Sequence, residues 1–219
     1  MAVIEFDEST HTYTVEGERK PSVTEILSML TMGHYSQINE SVLRAAAERG
    51  KDVHQACQDI DLGLDEEEYD PVIAPYAEAY MQFLFDYSPK WLEIEQPHYN
   101  KEWGFCGTVD RYGIINGRPS VVDIKTTASP TRENYLSYCC QTIGYSTFYP
   151  VSFVRNKSGM DGEYKKPERY ILFLKKDGKY RLVNCEEYEE KNNWFTATLF
   201  ADCLKVKRDV ERSLRKNGK

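Results

Sequence analysis

The chain has 219 residues, with 41% apolar and 13% aromatic content and a net charge of −7. That is enough apolar material for one ample core, and it excludes an intrinsically disordered chain. No apolar run approaches the roughly 20 residues that span a bilayer, and the acidic surplus argues against a protein that coats nucleic acid with its whole surface.

The opening MAVIEFDEST has neither a basic nor a long apolar segment, so no secretory signal is expected and the chain reads as cytoplasmic. Six cysteines (Cys57, Cys106, Cys139, Cys140, Cys185 and Cys203) fall in apolar segments without Cys-x-x-Cys spacing. Reduced thiols are expected, not a zinc ribbon or a redox motif. Charge is spread unevenly: residues 61–70 are acidic, and the tail KVKRDVERSLRKNGK is basic, as either a solvated helix end or a DNA contact would be.

In chain order, THTYTVEGERK reads as a short hairpin turning at Gly17, and Ser22 with Glu25 has the form of a capping box that starts a helix. TMGHYSQ (31–37) reads as a loop. A long helix is predicted from Glu40 to Ile60, with Val42, Ala45, Ala46, Val53, Ala56 and Cys57 as its apolar stripe. Gly50 inside it costs about 1 kcal/mol relative to Ala, and close approach of another group to the backbone is the usual reason to keep it. PVIAPYAEAYMQFLFDYS is a second amphipathic helix. WLEIEQPHY is a strand ended by Pro97, with Glu93 and Glu95 on one side and Leu92 and Ile94 on the other. Two strands then flank Asn116-Gly117. A helix begins at Arg132, RNKSGMDGEYKKPE is a polar loop, RYILFLKKDGKYRLVNC is a hairpin turning at Asp177-Gly178, and one helix runs from Glu186 to Leu214.

The pattern is one α/β domain over 1–219, a central mixed sheet with an antiparallel meander flanked by helices. Its parts are an N-terminal hairpin and helix (1–39), a core (40–150), and a hairpin with a C-terminal helix (151–219).

The stretch GTVDRYGIINGRPSVVDIKTT carries the chemistry. With Asn116-Gly117 as a two-residue turn, facing residues have numbers that sum to 233, and Asp110 and Asp123 meet that condition. They form a non-hydrogen-bonded pair with Cα atoms roughly 4.5 Å apart. Lys125 shares their face, and Val109, Val122 and Ile124 form a core stripe on the other. Two carboxylates so close repel unless a cation lies between them, and hard oxygen donors suit Mg²⁺ or Mn²⁺. An exposed hairpin with Lys125 paired to Asp123 is the alternative.

These residues resemble the PD-(D/E)xK nuclease superfamily, specifically its RecB-like branch and the phage-type (RecE-like) recombination exonucleases. The likeness is distributed over RGKDVHQA (49–56), GTVDR (107–111), VVDIKT (121–126) and QTIGY (141–145), and it extends to both flanking segments. It implies a restriction-endonuclease-like core in which His54, Asp110, Asp123 and the Ile124 carbonyl bind catalytic Mg²⁺ or Mn²⁺. Lys125 would orient water or stabilise phosphate charge, and Gln141 and Tyr145 would lie beside the site touching DNA. Gly50 would let the helix pack close enough for His54 to reach the strands. Glu95 is an extra acid near the site whose role the sequence leaves open. Cys185 and Cys203 are too few for the four-cysteine iron–sulfur cluster of some relatives, and no Gly-x-x-x-x-Gly-Lys motif for ATP is present.

The resemblance implies a metal-dependent exodeoxyribonuclease that resects linear double-stranded DNA ends for phage recombination and repair, with a single-strand annealing recombinase as partner and a homo-oligomeric ring. A structure-specific repair endonuclease and a catalytically inactive DNA-binding protein on the same fold are the alternatives.

Overall fold

In the computed structural model, described over residues 3–35, 39–64, 69–127, 129–155 and 162–217, the chain is an α/β fold built on three sheets. Strands β1 (Ile4–Asp7), β2 (Thr12–Val15) and β3 (Glu18–Lys20) form a small antiparallel sheet. Its second turn places Glu16 and Gly17 at positive φ (51° and 80°), which glycine adopts without strain. Helix α1 (Val23–Tyr35) follows. The Ser22 hydroxyl accepts from the Glu25 N–H and the Glu25 carboxylate accepts from the Ser22 N–H, both at 3.0 Å, completing the predicted capping box. The helix continues through Thr31–Tyr35, which the sequence reading had placed in a loop; Ser36 and Gln37 lie outside the described residues.

Helix α2 (Glu40–Leu62) is the predicted long helix, ended by Gly63 in the left-handed conformation. Only the later part of its stripe is core: Val53, Ala56 and Cys57 are buried, whereas Val42 and Ala45 are exposed. Packing contact begins halfway along the helix, so apolar spacing before that point buries nothing. Helix α3 (Ala74–Tyr87) comes next, followed by the meander β4 (Lys90–Asn100), β5 (Phe105–Ile115) and β6 (Arg118–Lys125). Strand β4 runs through Pro97 and does not end there. It is an edge strand, so a residue lacking N–H is tolerated.

Helix α4 (Arg132–Ser146), the short pair β7 (Ser152–Arg155) and β8 (Gly162–Lys165), and the hairpin β9 (Glu168–Leu174) and β10 (Tyr180–Asn184) follow. The segment predicted as a polar loop thus contributes strand residues at both ends. The terminal helix is two helices, α5 (Cys185–Asn192) and α6 (Thr196–Asn217), divided where Asn193 takes a left-handed φ of 53°. Asn tolerates that conformation better than most residues, and it caps α5.

The central sheet has the order β10-β9-β6-β5-β4, with β9 parallel to β6 and every other neighbour antiparallel. Helices α2 and α3 cover one face, where Val53, Phe83, Val122, Ile124 and Leu172 pack. Helices α1, α4 and α6 cover the other, around Ile26, Phe105, Val109, Val121 and Phe200. A buried side chain such as Phe83 contributes about 1.5–3 kcal/mol by leaving water. All six cysteines are buried and none forms a disulfide. No described helix is long and apolar enough to cross a membrane.

Candidate active site

The β5–β6 hairpin has the predicted register from Ile115↔Arg118 to Arg111↔Val122, each pair summing to 233. The ladder stops one step before Asp110 and Asp123, so the predicted cross-strand pair is not part of it. Asp110 Oδ2 accepts the Ile124 N–H at 2.7 Å. Strand alternation slips at this point. Val109 packs beside Val121 under α1, α4 and α6, whereas Arg111 reaches Asp61 and Tyr80 on the α2–α3 side. In a regular strand, residues two apart share a face. This slip corrects the predicted stripe: Val122 and Ile124 belong to one core and Val109 to the other.

Strand β4 slips beside it. Leu92 is the extra residue of a bulge between Trp91 and Glu93, and Glu95 has a φ of 48°. Glu93 and Glu95, predicted to share a side, therefore diverge. Glu93 accepts from Tyr149 (2.7 Å) and meets His98 (2.8 Å), while Glu95 turns toward His54 and Arg111.

The slip gathers the site. From α2, His54 Nδ1 lies 3.2 Å from Glu95 Oε1 and 3.8 Å from Asp110 Oδ2, while Nε2 lies 3.1 Å from the Ile124 carbonyl oxygen. Both ring nitrogens face acceptors, the arrangement that satisfies a doubly protonated imidazolium. Burial alone would lower its pKa, but the charges of Asp110 and Glu95 outweigh burial and lift it to about 9. One ligating atom from each of His54, Glu95 and Asp110 falls within 4.8 Å of the other two.

On the α4 side, Asp123 is fully buried. Lys125 Nζ donates to its Oδ1 at 2.9 Å and lies 2.8 Å from Oδ2, so both carboxylate oxygens face the ammonium. Burial raises the Asp123 pKa to about 6 against the opposing pull of Lys125. Desolvation works against the Lys125 charge, yet Asp123 and Asp110 hold its pKa above the usual range. The same ammonium sits 5.1 Å from the Tyr138 ring centre. One turn apart on α4, Gln141 donates to the Tyr145 hydroxyl at 2.7 Å, and burial keeps that hydroxyl protonated.

His54, Glu95, Asp110, Lys125, Gln141 and Tyr145 line one cleft of about 370 Å³ that also reaches α1 and the N-terminal sheet. Gly50 borders it. A Cβ there would meet nothing within 4 Å, so the predicted close approach is absent and the helix does not need this glycine in order to pack. A larger concavity of about 470 Å³, between α2 and residues 69–73, contains none of the predicted site residues.

Behind the cluster stands a second buried ionic group. The Arg111 guanidinium donates to Asp61 Oδ2 (2.6 Å), Glu95 Oε1 (3.0 Å) and the Asp110 carbonyl (2.6 Å). Tyr80 and Trp91 complete the shell of Asp61 at 2.6 and 3.0 Å.

His54, Asp110, Lys125, Gln141 and Tyr145 thus line one cleft, while the Ile124 carbonyl meets His54 and Asp123 is buried against Lys125. Sequence reasoning set Glu95 aside and missed Arg111 altogether. The signal for Arg111 was present, since an arginine in an apolar strand needs a buried acid. Comparison with models of known protein families and with curated protein sequences finds no match to this chain.

Proposed function

We propose that the chain is a Mg²⁺- or Mn²⁺-dependent deoxyribonuclease of the PD-(D/E)xK type, in the RecB-like branch, resecting linear DNA ends during phage recombination. The observation that carries this reading is the convergence of His54, Asp110, Lys125, Gln141 and Tyr145 on one cleft, from four separate segments, with Asp123 holding Lys125 from behind.

The donors fit a hard divalent ion: carboxylates from Asp110 and Glu95, one imidazole, and the Ile124 carbonyl 3.1 Å from that imidazole. The open part of the set is His54, Glu95 and Asp110, whose donor atoms lie within 4.8 Å of one another, while Asp123 Oδ2 is taken by the Lys125 ammonium at 2.8 Å. When bound, such an ion supplies Lewis acidity, making water more acidic and offsetting charge on the phosphoryl oxygens. His54 must be neutral to ligate, so its elevated pKa sets proton against metal. Lys125 lines the cleft from its anchor on Asp123, where its ammonium can hold a phosphoryl oxygen or orient water. Because the Tyr145 oxygen already accepts from Gln141, its own proton is left to donate to a substrate oxygen.

Digestion of linear and circular duplex DNA with Mg²⁺ or a chelator tests the reading. Mononucleotide release from linear DNA alone, abolished by chelation, is expected. Cutting of circles would move the assignment to an endonuclease, and DNA binding without cleavage under any divalent ion would leave a binding protein.

A further inference from the structure

The wall of the cleft opposite the acidic cluster comes from the N-terminal sheet, and it is aromatic. Phe6, His11 and Tyr13 all line the cavity that His54, Asp110 and Lys125 line from the other side. Tyr13 is buried and fixed, its hydroxyl 2.8 Å from Thr108 Oγ1 on β5. Phe6 stacks on it with ring centres 4.5 Å apart and planes inclined by 25°. His11 stands edge-on to Phe6 at 5.2 Å and is itself exposed.

The turn that presents His11 is built for the purpose. Asp7 Oδ1 accepts from the Ser9 N–H and hydroxyl at 2.9 and 2.7 Å, tightening the chain between β1 and β2. His11 then takes a φ of 51°, a left-handed conformation that costs a non-glycine residue about 1 kcal/mol or more. Across the mouth, Lys51 of α2 and Glu8 form an ion pair at 3.2 Å in which each side chain is 72% exposed. Such a pair contributes almost nothing to stability, which leaves the Lys51 ammonium available to an anion entering the cleft.

We propose that His11, with Phe6 set nearly perpendicular beside it, offers its ring face to an unpaired nucleobase of the strand whose phosphate lies at the acidic cluster, with Lys51 on a neighbouring phosphate. The inference rests on the nuclease reading and adds to it where the base goes. Every base has a π-face, so an aromatic wall grips a strand without reading its sequence. A purely catalytic cleft for phosphate would need only the polar wall.

The test is binding by the full chain in EDTA, where no ion supports turnover. The probes are a single-stranded oligothymidylate and an abasic oligomer of equal length and charge. The wild type should bind the thymidylate oligomer more tightly than the abasic one. His11→Ala, at an exposed position, and Phe6→Leu, which keeps the bulk, should each weaken thymidylate binding by about 5- to 20-fold. Abasic binding should be unchanged by either, and thermal melts confirm that the variants are folded. Lys51→Ala should weaken both oligomers alike and reduce the salt dependence. Equal binding of the two oligomers by wild type, or variants that bind as wild type does, would overturn the stacking role while leaving the nuclease reading intact. Failure of the wild type to bind either oligomer would likewise overturn the stacking role, while digestion of duplex DNA decides the nuclease reading separately.

Discussion

Two buried ionic groups meet at Glu95, and they are built to opposite ends. On the α2–α3 side, Arg111, Asp61, Tyr80 and Trp91 form a closed set in which both oxygens of Asp61 have donors. On the cleft side, His54, Glu95 and Asp110 bring donor atoms within 4.8 Å of one another at the edge of a cavity, beside the Asp123–Lys125 pair. Burial and charge are common to both groups. What separates them is access: the closed set also holds an unpartnered atom, Arg111 Nη2, but only the other group lines the cleft.

The sharpest way to break the comparison is to mutate each group. Asp123→Ala and Lys125→Ala should each reduce DNA cleavage by about 10³-fold, as loss of a ligand or of an electrostatic donor does, while the urea midpoint moves less than it does for Asp61→Ala because the pair borders the cleft. Asp61→Ala strands the Arg111 charge in the core and should lower unfolding free energy by about 3–5 kcal/mol in the same melts. Unfolding of the cleft variants, with little effect at Asp61, would reverse the assignment of the two groups.

Added Mn²⁺ sharpens the distinction. At a hundred times its Kd, it should raise the stability of the wild type by about 2.7 kcal/mol, but should not stabilise Asp110→Asn. The metal-free protein carries a pH signature as well. The His54 pKa is raised in the folded state, so the stability it contributes is fully present below its unfolded value and is lost as pH rises toward about 9. His54→Gln should flatten that decline in chelator. Smallest of all, Gly50→Ala places a methyl where nothing lies within 4 Å and should stabilise α2 by about 0.5–1 kcal/mol, visible in the urea midpoint.

What was legible in the sequence follows the same division. The Asn116-Gly117 turn fixed a register that holds for five pairs, and the Ser22–Glu25 box and the α4 residues Gln141 and Tyr145 follow from local spacing. The paired slip at Asp110 and Glu95 was not legible, because a bulge at Leu92 and a left-handed Glu95 have no local signature. Simple alternation therefore put Glu95 beside Glu93 and Val109 beside Val122. The division of the terminal helix at Asn193 was missed because apolar spacing continues across the break. The slip that hid Glu95 from the sequence is also what turns it toward His54.

The central claim is that His54, Glu95, Asp110 and Asp123 together hold a divalent ion. Calorimetric titration of Mn²⁺ into the chelator-stripped chain tests it directly, with Asp123→Asn and Glu95→Gln alongside. The account predicts a saturable site in the wild type that is lost in Asp123→Asn and weakened in Glu95→Gln. Absence of binding to the folded wild type, or equal binding to all three proteins, would contradict it.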